Sequence, residues 1–140
     1  MDSEKTVIEI SHMTKNYGKH RGVTDLSLTV EQGKVFGFLG PNGAGKSTTI
    51  RAMLGFIRFD SGRIRLLQKD IRSHREEILA QVGYMPSEAM FYPTMKVKDV
   101  IRLAAQVRGV DCAQEARMLC ERLQVDTEKK IRELSLGNRK

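Results

Sequence analysis

Eight consecutive residues, "GPNGAGKS" at positions 40–47, have the types and the spacing to hold a polyphosphate. They fit the pattern G-x-x-x-x-G-K-[ST] through Gly40, Gly45, Lys46 and Ser47. Glycines let the backbone bend around a phosphate, so that successive N–H groups point at its oxygens. The lysine supplies a cation for the outer phosphates and the serine a hydroxyl for Mg²⁺. The stretch therefore predicts a site for a nucleoside triphosphate with Mg²⁺.

The residues on either side predict the elements that such a loop requires. "KVFGFLG" at 34–40 is nearly all apolar, which predicts a strand covered on both faces. Behind the loop, Ile50, Met53, Leu54 and Ile57 recur at i, i+3, i+4 and i+7, the spacing of a helix with one buried face. The loop is therefore expected at a strand-to-helix junction.

The rest of the chain divides into a mixed part and a helical part. Strands are predicted at 6–10, 26–30, 63–67 and 82–86, with a short polar helix at about 75–79. After Pro86 the spacing becomes helical, with one helix from Val97 that ends at Gly109. A second helix runs from a capping box of Asp111 and Gln114 to about Leu123. The fold class is α/β.

Composition describes an ordinary globular chain of 140 residues, 40% hydrophobic and 29% charged. It has no apolar run long enough to span a bilayer and no secretory signal. Cys112 and Cys120 match no metal-ligand spacing and are expected to be reduced thiols, which favours the cytosol. The net charge of +7 is scattered and interleaved with acids, so a solvated basic surface is favoured over a nucleic-acid or membrane surface.

Two motifs together carry a resemblance to a known family. "GPNGAGKSTT" and, some ninety residues later, "LSLGN" at 134–138 resemble the phosphate loop and the signature (usually close to LSGGQ) of the ATP-binding cassette (ABC) family. The resemblance extends over essentially the whole chain, including "KNYG", "FDSGRIRL" and "VGYMPSEAMFYPTMKVKDVI". It is strongest to cassettes that serve export permeases. It implies a P-loop NTPase core with N-terminal antiparallel β-strands, followed by a partial α-helical subdomain, in a truncated chain.

The resemblance also implies domains and residue roles. Residues 1–86 would form the nucleotide-binding core, and 87–140 a link and a helical subdomain ending in the signature. Tyr17 would stack on adenine, the alternative being that it packs beside a strand. The phosphate loop would consist of Gly40, Pro41, Asn42, Gly43, Ala44, Gly45, Lys46, Ser47 and Thr48. Thr48 would lie near the α-phosphate. The signature residues that would meet ATP on a second subunit are Ser135, Leu136, Gly137 and Asn138.

Two departures from the family pattern affect the site. Ser87 stands where the family has a glutamine near Mg²⁺, so it either contacts the metal through a water or belongs to a plain loop; Glu88 would substitute only if the loop shifts. In the signature, Leu136 replaces a glycine and Asn138 a glutamine, while the serine and the second glycine are retained.

The family's catalytic Asp, Glu and His all follow the signature, and no residue of this chain matches them. Asp70 and Asp99 do not end apolar strands, and the three histidines are expected at the surface. We therefore expect the chain to contain no catalytic residue and to bind ATP with negligible turnover. An engineered truncation, a proteolytic remnant and an interrupted gene would each account for such a chain.

The resemblance implies an ATP-binding subunit that uses ATP and Mg²⁺ to drive export through an integral membrane permease. The parent would form a homodimer around two nucleotides, would not bind nucleic acid, and would lie in the cytoplasm, peripheral on the inner face of the cell membrane. Two alternatives remain open: a non-transport ABC protein acting in translation or repair, and an inactive, self-associating fragment.

Overall fold

The structure, a computed structural model, describes residues 5–86, 92–135 and 137–138, apart from the side chains of His20 and Arg21. The described residues form two compact units, one up to Val82 and one from Gly83 onward. The functional division predicted at residue 86 stays a prediction. Each unit is described by itself below.

Four antiparallel strands form the sheet of the first unit, in the order β2-β1-β3-β4. They are β1 (Thr6–Tyr17), β2 (His20–Glu31), β3 (Ser61–Leu66) and β4 (Lys69–Asp70). The strands predicted at 6–10, 26–30 and 63–67 are confirmed, and β1 and β2 are longer than predicted. Their alternation is interrupted where the register shifts between Ile10 and Met13. At this irregularity His12 has a positive φ of 51° and its Nδ1 lies 2.7 Å from a carboxylate oxygen of Asp25.

Two helices, α1 (Lys46–Met53) and α2 (Arg75–Leu79), belong to the same unit. Helix α1 is confirmed but shorter than predicted, because Gly55 leaves the helical region with φ 66°. Its buried residues are Thr49 and Ala52. Both helices contribute to one apolar core with the sheet. Its buried residues are Ile10, Met13, Val23, Ala52, Phe59, Ile64, Leu66, Ile71 and Ile78.

The strands predicted at 34–40 and 82–86 are wrong, since neither segment has strand structure. Val35 and Leu39 are 103% and 92% exposed, and Met85 is 67% exposed. A strand apolar on both faces forms only when neighbouring strands take its backbone groups and other elements cover its faces. No strand among the described residues lies alongside either segment.

The second unit contains helices α3 (Val97–Arg108) and α4 (Ala113–Arg122) and a 3₁₀ turn, Ile131–Glu133. Both predicted helices are confirmed, as is the end of α3 at Gly109, which has φ 64°. The predicted capping box is wrong: Cys112 is the N-cap residue, and the Asp111 carboxylate accepts a hydrogen bond from the Ala113 N–H at 3.1 Å.

The second unit also contains a small apolar core and two thiols. Val97, Ile131 and Leu134 are its buried apolar residues. The thiols of Cys112 and Cys120 are free, as expected. Among the helices of the described residues, none has the length and apolarity needed to cross a bilayer.

Substitution of Gly62 is expected to destabilise the sheet more than substitution of Gly33. Both have positive φ, 90° and 78°, which costs a residue with a Cβ about 1–2 kcal/mol. A Cβ at Gly62 would also overlap the carbonyl group of His12, whereas nothing lies within 4 Å of a Cβ at Gly33. We expect Gly62→Ala to lower the free energy of unfolding by about 1–3 kcal/mol more than Gly33→Ala, measured by urea unfolding. Equal losses would show that β3 does not approach β1 this closely.

Candidate functional site

The phosphate loop, residues 40–48, has the backbone geometry of an anion receptor. Gly43 and Gly45 adopt left-handed conformations with φ 83° and 86°. Gly45 is also the N-cap residue of α1 and provides no side chain to cap it. The first N–H groups of a helix lack partners within the helix and lie at the positive end of its dipole. The loop and the start of α1 therefore present N–H groups suited to phosphate oxygens.

Gly45 also holds the loop against strand β2. A Cβ at this position would overlap Cγ2 of Val23 and would lie 3.3 Å from the Gly22 carbonyl oxygen. On the helix side, the buried Thr49 hydroxyl donates to the Gly45 carbonyl at 3.0 Å. The end of the loop is thus fixed between the sheet and the first turn of α1.

Lys46 folds back over the loop that precedes it. Its Nζ donates to the carbonyl oxygens of Gly40 at 2.6 Å and Pro41 at 2.8 Å. In the first turn of α1, the Ser47 side chain is exposed and Thr48 is half-buried. The Lys46 ammonium and the exposed Ser47 hydroxyl therefore lie at the same end of α1 as its N–H groups that lack a partner within the helix.

Tyr17 is the last residue of β1, and the residues just before it border a cavity that the phosphate loop also lines. A cavity of about 560 Å³ is lined by Thr14, Lys15, Asn16, Gly22 and Thr24 from the β1–β2 hairpin, and by Pro41, Asn42, Gly43 and Ala44 from the loop. Tyr17 follows this wall directly and its ring is 44% exposed. The structure thus places the residues that precede Tyr17 on the same cavity as the phosphate loop, and the assignment of Tyr17 to the base stays a prediction.

Sequence reasoning missed the polar residues of the hairpin wall. Lys15 is one of them, and its Nζ lies 5.2 Å from the centroid of the Tyr17 ring. A usable signal was present, because residues two apart on a strand share a face. A lysine two positions before an aromatic residue therefore indicates a cation over a ring.

The signature residues lie in the second unit, where Ser135 forms a turn. Its Oγ accepts a hydrogen bond from the Asn138 N–H at 3.2 Å, the pattern of a residue that caps a helix start. Gly137 and Asn138 are exposed. Leu136, Ser87 and Glu88 lie outside the described residues.

The segment that leads into the signature is paired with the start of α3. The Val97 N–H donates to the Lys129 carbonyl at 3.0 Å, and the Ile131 N–H donates to the Met95 carbonyl at 2.9 Å. The Glu128 carboxylate lies between two ammonium groups, 2.6 Å from Lys98 Nζ and 2.9 Å from Lys96 Nζ. These contacts hold the segment that precedes Ser135 against the start of α3.

This ion cluster shifts the pKa values of Glu128 and Lys96. Hydrogen bonds from Lys98 and then from Lys96 lower the pKa of Glu128 to about 2. The hydrogen bond to Glu128 raises the pKa of Lys96 in turn. The cluster therefore stays ionised across the neutral range.

Ser47 offers Mg²⁺ an exposed hydroxyl, and the described residues contain no clustered set of His, Cys, Asp or Glu ligands. That fits Mg²⁺, which usually keeps several waters and takes substrate phosphates as ligands. The carboxylates considered as catalytic candidates are engaged elsewhere: Asp70 accepts from the Arg72 N–H at 2.9 Å, and Asp99 pairs with Arg102 at 3.7 Å. His12 and His74 lie at the surface, and the His20 side chain is outside the described set.

Comparison with known proteins connects this geometry to a family. The family model described as "ABC transporter" matches residues 23–140. The bacitracin transport ATP-binding protein of Bacillus licheniformis is 34% identical over 134 residues, which cover 94% of this chain and 44% of that protein. The Nod factor export ATP-binding protein I of Cupriavidus metallidurans is 32% identical over 139 residues, 96% of this chain and 46% of that protein. The chain thus spans less than half the length of these curated relatives.

Solved structures show the same fold. An ATP-binding subunit of an ABC transporter superimposes with a TM-score of 0.81 at 26% identity, covering 96% of this chain and 58% of that one. A protein from Pyrococcus furiosus, named a putative ABC transporter ATP-binding protein, superimposes with a TM-score of 0.77 at 26% identity, covering 93% of this chain and 64% of that one. The predicted fold class, an α/β P-loop core with antiparallel N-terminal strands and a partial helical part, is confirmed.

Glu128→Gln is expected to change the acid stability of the chain. Glu128 titrates at about 2 in the folded chain against 4.5 unfolded, so its ion pairs stabilise the fold above about pH 4.5 and are lost as the pH falls toward 2. The difference in urea midpoint between the wild type and Glu128→Gln should therefore be full near neutral pH and shrink through that window. Because the carboxylate is largely exposed, added salt should reduce the difference.

Glu121→Gln provides the control, since it removes an exposed carboxylate of the same unit that lies outside this cluster. A wild-type–variant difference for Glu128→Gln that stayed constant down to pH 2 would show that the cluster is not formed in solution.

Proposed function

The chain belongs to the ABC transporter family, and from that premise we propose that it is the nucleotide-binding part of a transporter's ATP-binding subunit. The observation that carries the proposal is the phosphate loop itself: two left-handed glycines lead into an uncapped helix start that carries Lys46 and Ser47. The substrate of this site is ATP with Mg²⁺. The remaining steps follow from the residues that surround the loop.

The triphosphate would take over the contacts that Lys46 makes with the loop. In the structure the ammonium donates to two neutral carbonyl oxygens, those of Gly40 and Pro41. Hydrogen bonds between an ammonium and a phosphate oxygen are about twice as strong as neutral ones, so the phosphates would draw the ammonium outward. The N–H groups of residues 43–48 would hold the remaining oxygens. Mg²⁺ would neutralise phosphate charge, with Ser47 as its protein ligand and Thr48 near the α-phosphate.

The base would occupy the hairpin side of the cavity. Tyr17 is half-exposed at the end of the wall that faces the loop, and a flat ring binds an adenine face without hydrogen-bond recognition. Ser87, outside the described residues, remains a candidate for water-mediated contact with the metal.

The signature would complete the site of a second copy. Ser135 turns the chain so that the Asn138 N–H is held and the Gly137 backbone is exposed. Backbone N–H groups at the start of a helix would then meet the γ-phosphate bound by the partner's phosphate loop. The functional dimer is accordingly a head-to-tail sandwich of two nucleotides.

Transport supplies the biological setting of this proposal. Two relatives are named for bacitracin transport and for Nod factor export. We assign this chain to a similar function: it couples ATP binding to export through a membrane permease, and it lies at the cytoplasmic face of the cell membrane.

Replacement of Lys46 tests the assignment of the loop. Lys46→Ala removes the only side-chain cation that the described loop contributes, and charge-assisted hydrogen bonds are each worth about 1.5–3 kcal/mol. We expect the affinity for Mg-ATP, measured by isothermal titration, to fall at least about 10-fold. Arg51→Ala is the matched control, because it removes one positive charge from the exposed far end of the same helix. Unchanged affinity in Lys46→Ala would rule out the phosphate role.

Turnover tests the second part of the proposal, that these residues bind ATP without hydrolysing it. The described residues that line the cavity include no carboxylate and no histidine, so none of them would polarise an attacking water. We expect phosphate release from saturating ATP to stay at the background rate of Lys46→Ala. Steady release above that background in the wild type would overturn this part and leave the binding assignment intact.

A further inference from the structure

A carboxylate outside the loop, that of Asp60, holds the end of strand β1. Its Oδ2 accepts a hydrogen bond from the Asn16 N–H at 2.6 Å, and its Oδ1 accepts one from Lys15 Nζ at 3.1 Å. The Asp60 N–H donates to the Thr14 carbonyl at 2.8 Å. One residue at the start of β3 therefore ties down three consecutive residues of the hairpin wall.

Lys15 transmits this constraint to Tyr17. The ammonium that Asp60 holds is 5.2 Å from the centre of the Tyr17 ring, within the range of a cation–π contact. The Lys15 side chain is only 18% exposed, so it packs beside the ring and does not extend into solvent. One face of the ring is covered by the cation, and the ring as a whole stays 44% exposed.

The residues held by Asp60 also form one wall of the cavity whose other wall is the phosphate loop. Thr14, Lys15 and Asn16 line that cavity opposite the segment from Pro41 to Ala44. The separation and tilt of the Tyr17 ring relative to bound phosphates therefore depend on where β1 ends. That position is set by the Asp60 contacts.

We propose that Asp60 is a positioning residue for the nucleobase: through Asn16 and Lys15 it holds Tyr17 at the height and orientation at which adenine stacks while the triphosphate occupies the loop. The inference rests on the proposed function, since it concerns the base end of the same nucleotide.

The protonation state of Asp60 agrees with this role. The hydrogen bond from the Asn16 N–H, and after it the one from Lys15, lower the pKa of this carboxyl below its ordinary value. The carboxylate is therefore ionised throughout the neutral range, and both contacts persist there.

The test compares two probes that differ only by the nucleoside, Mg-ATP and Mg-tripolyphosphate. In Asp60→Ala we expect the affinity for ATP to fall about 3- to 10-fold, the size of one ordinary hydrogen bond, because Asp60 acts on the base only through the position of the ring; the affinity for tripolyphosphate should be unchanged. Tyr17→Ala should reduce the same preference about 5- to 150-fold, the range for loss of one base–aromatic stack. The readout is the ratio of the two dissociation constants, which a purely structural weakening would leave unchanged.

Three further variants keep the result interpretable. Asp60→Asn retains an acceptor for the Asn16 N–H and loses the charge that holds Lys15, so an intermediate ratio is expected. In the Tyr17→Ala background, Asp60→Ala should change the ratio no further, because the ring it positions is gone. Asp70→Ala is the matched control, since Asp70 also accepts a backbone N–H, that of Arg72, but Arg72 does not line the cavity.

The outcomes separate this inference from the function on which it rests. Wild-type chain that binds neither probe would overturn the proposed function. Wild-type chain that binds both, with a ratio that Asp60→Ala leaves unchanged, would overturn only the positioning role. An equal loss for both probes in Asp60→Asn would likewise overturn it, since Asp60 would then support the whole unit and not the base.

Discussion

The geometry of the phosphate loop depends on one contact that only glycine permits, the close approach of Gly45 to strand β2. A side chain there would overlap Val23, and the residue has the left-handed φ of 86°. Because β2 pairs with β1 along most of its length, fixing Gly45 on β2 also fixes the loop relative to the end of β1. Helix α1 begins at the next residue, so its dipole is aimed by the same contact. The position of Gly45 on β2 therefore sets the positions of the loop, the helix and the hairpin relative to one another.

The lysines described above differ in the groups that bind their ammonium ions. A contact with an uncharged carbonyl oxygen can be exchanged for a ligand, whereas an ion pair with a carboxylate is a fixed contact. Lys46 is held by two uncharged carbonyl oxygens, which a phosphate oxygen can replace with a stronger bond. Lys15 is held by Asp60, and Lys96 and Lys98 by Glu128, so those cations already have ionised partners. Some of the positive side chains are thus already neutralised by local ion pairs. Of these four lysines, the one in the phosphate loop has contacts that a phosphate can replace.

The apolar segments at 34–40 and 82–86 show how strongly strand formation depends on partners. The first has the composition of a covered strand, yet Val35 and Leu39 stand almost fully exposed. The phosphate loop keeps its geometry even so, because it is anchored at its helix end through Gly45 and Thr49 and not through the segment before it. The similarity to solved ABC structures over 96% of the chain is consistent with an anchored loop on an antiparallel sheet.

The sequence by itself determined the residue types of the phosphate loop, the existence of strands β1, β2 and β3 and of helices α1 to α4, and the α/β class. These features are local: a glycine pattern, a spacing of apolar residues and a helix stop such as Gly109 act on their own neighbours. Only the tertiary structure decided that the end of the β1–β2 hairpin shares a cavity with the phosphate loop, that Asp60 holds Lys15 over the Tyr17 ring, and that the segment at 34–40 is not a strand. Each of those outcomes depends on groups that are far apart in the chain, and the free energy of such contacts is absent from any local pattern.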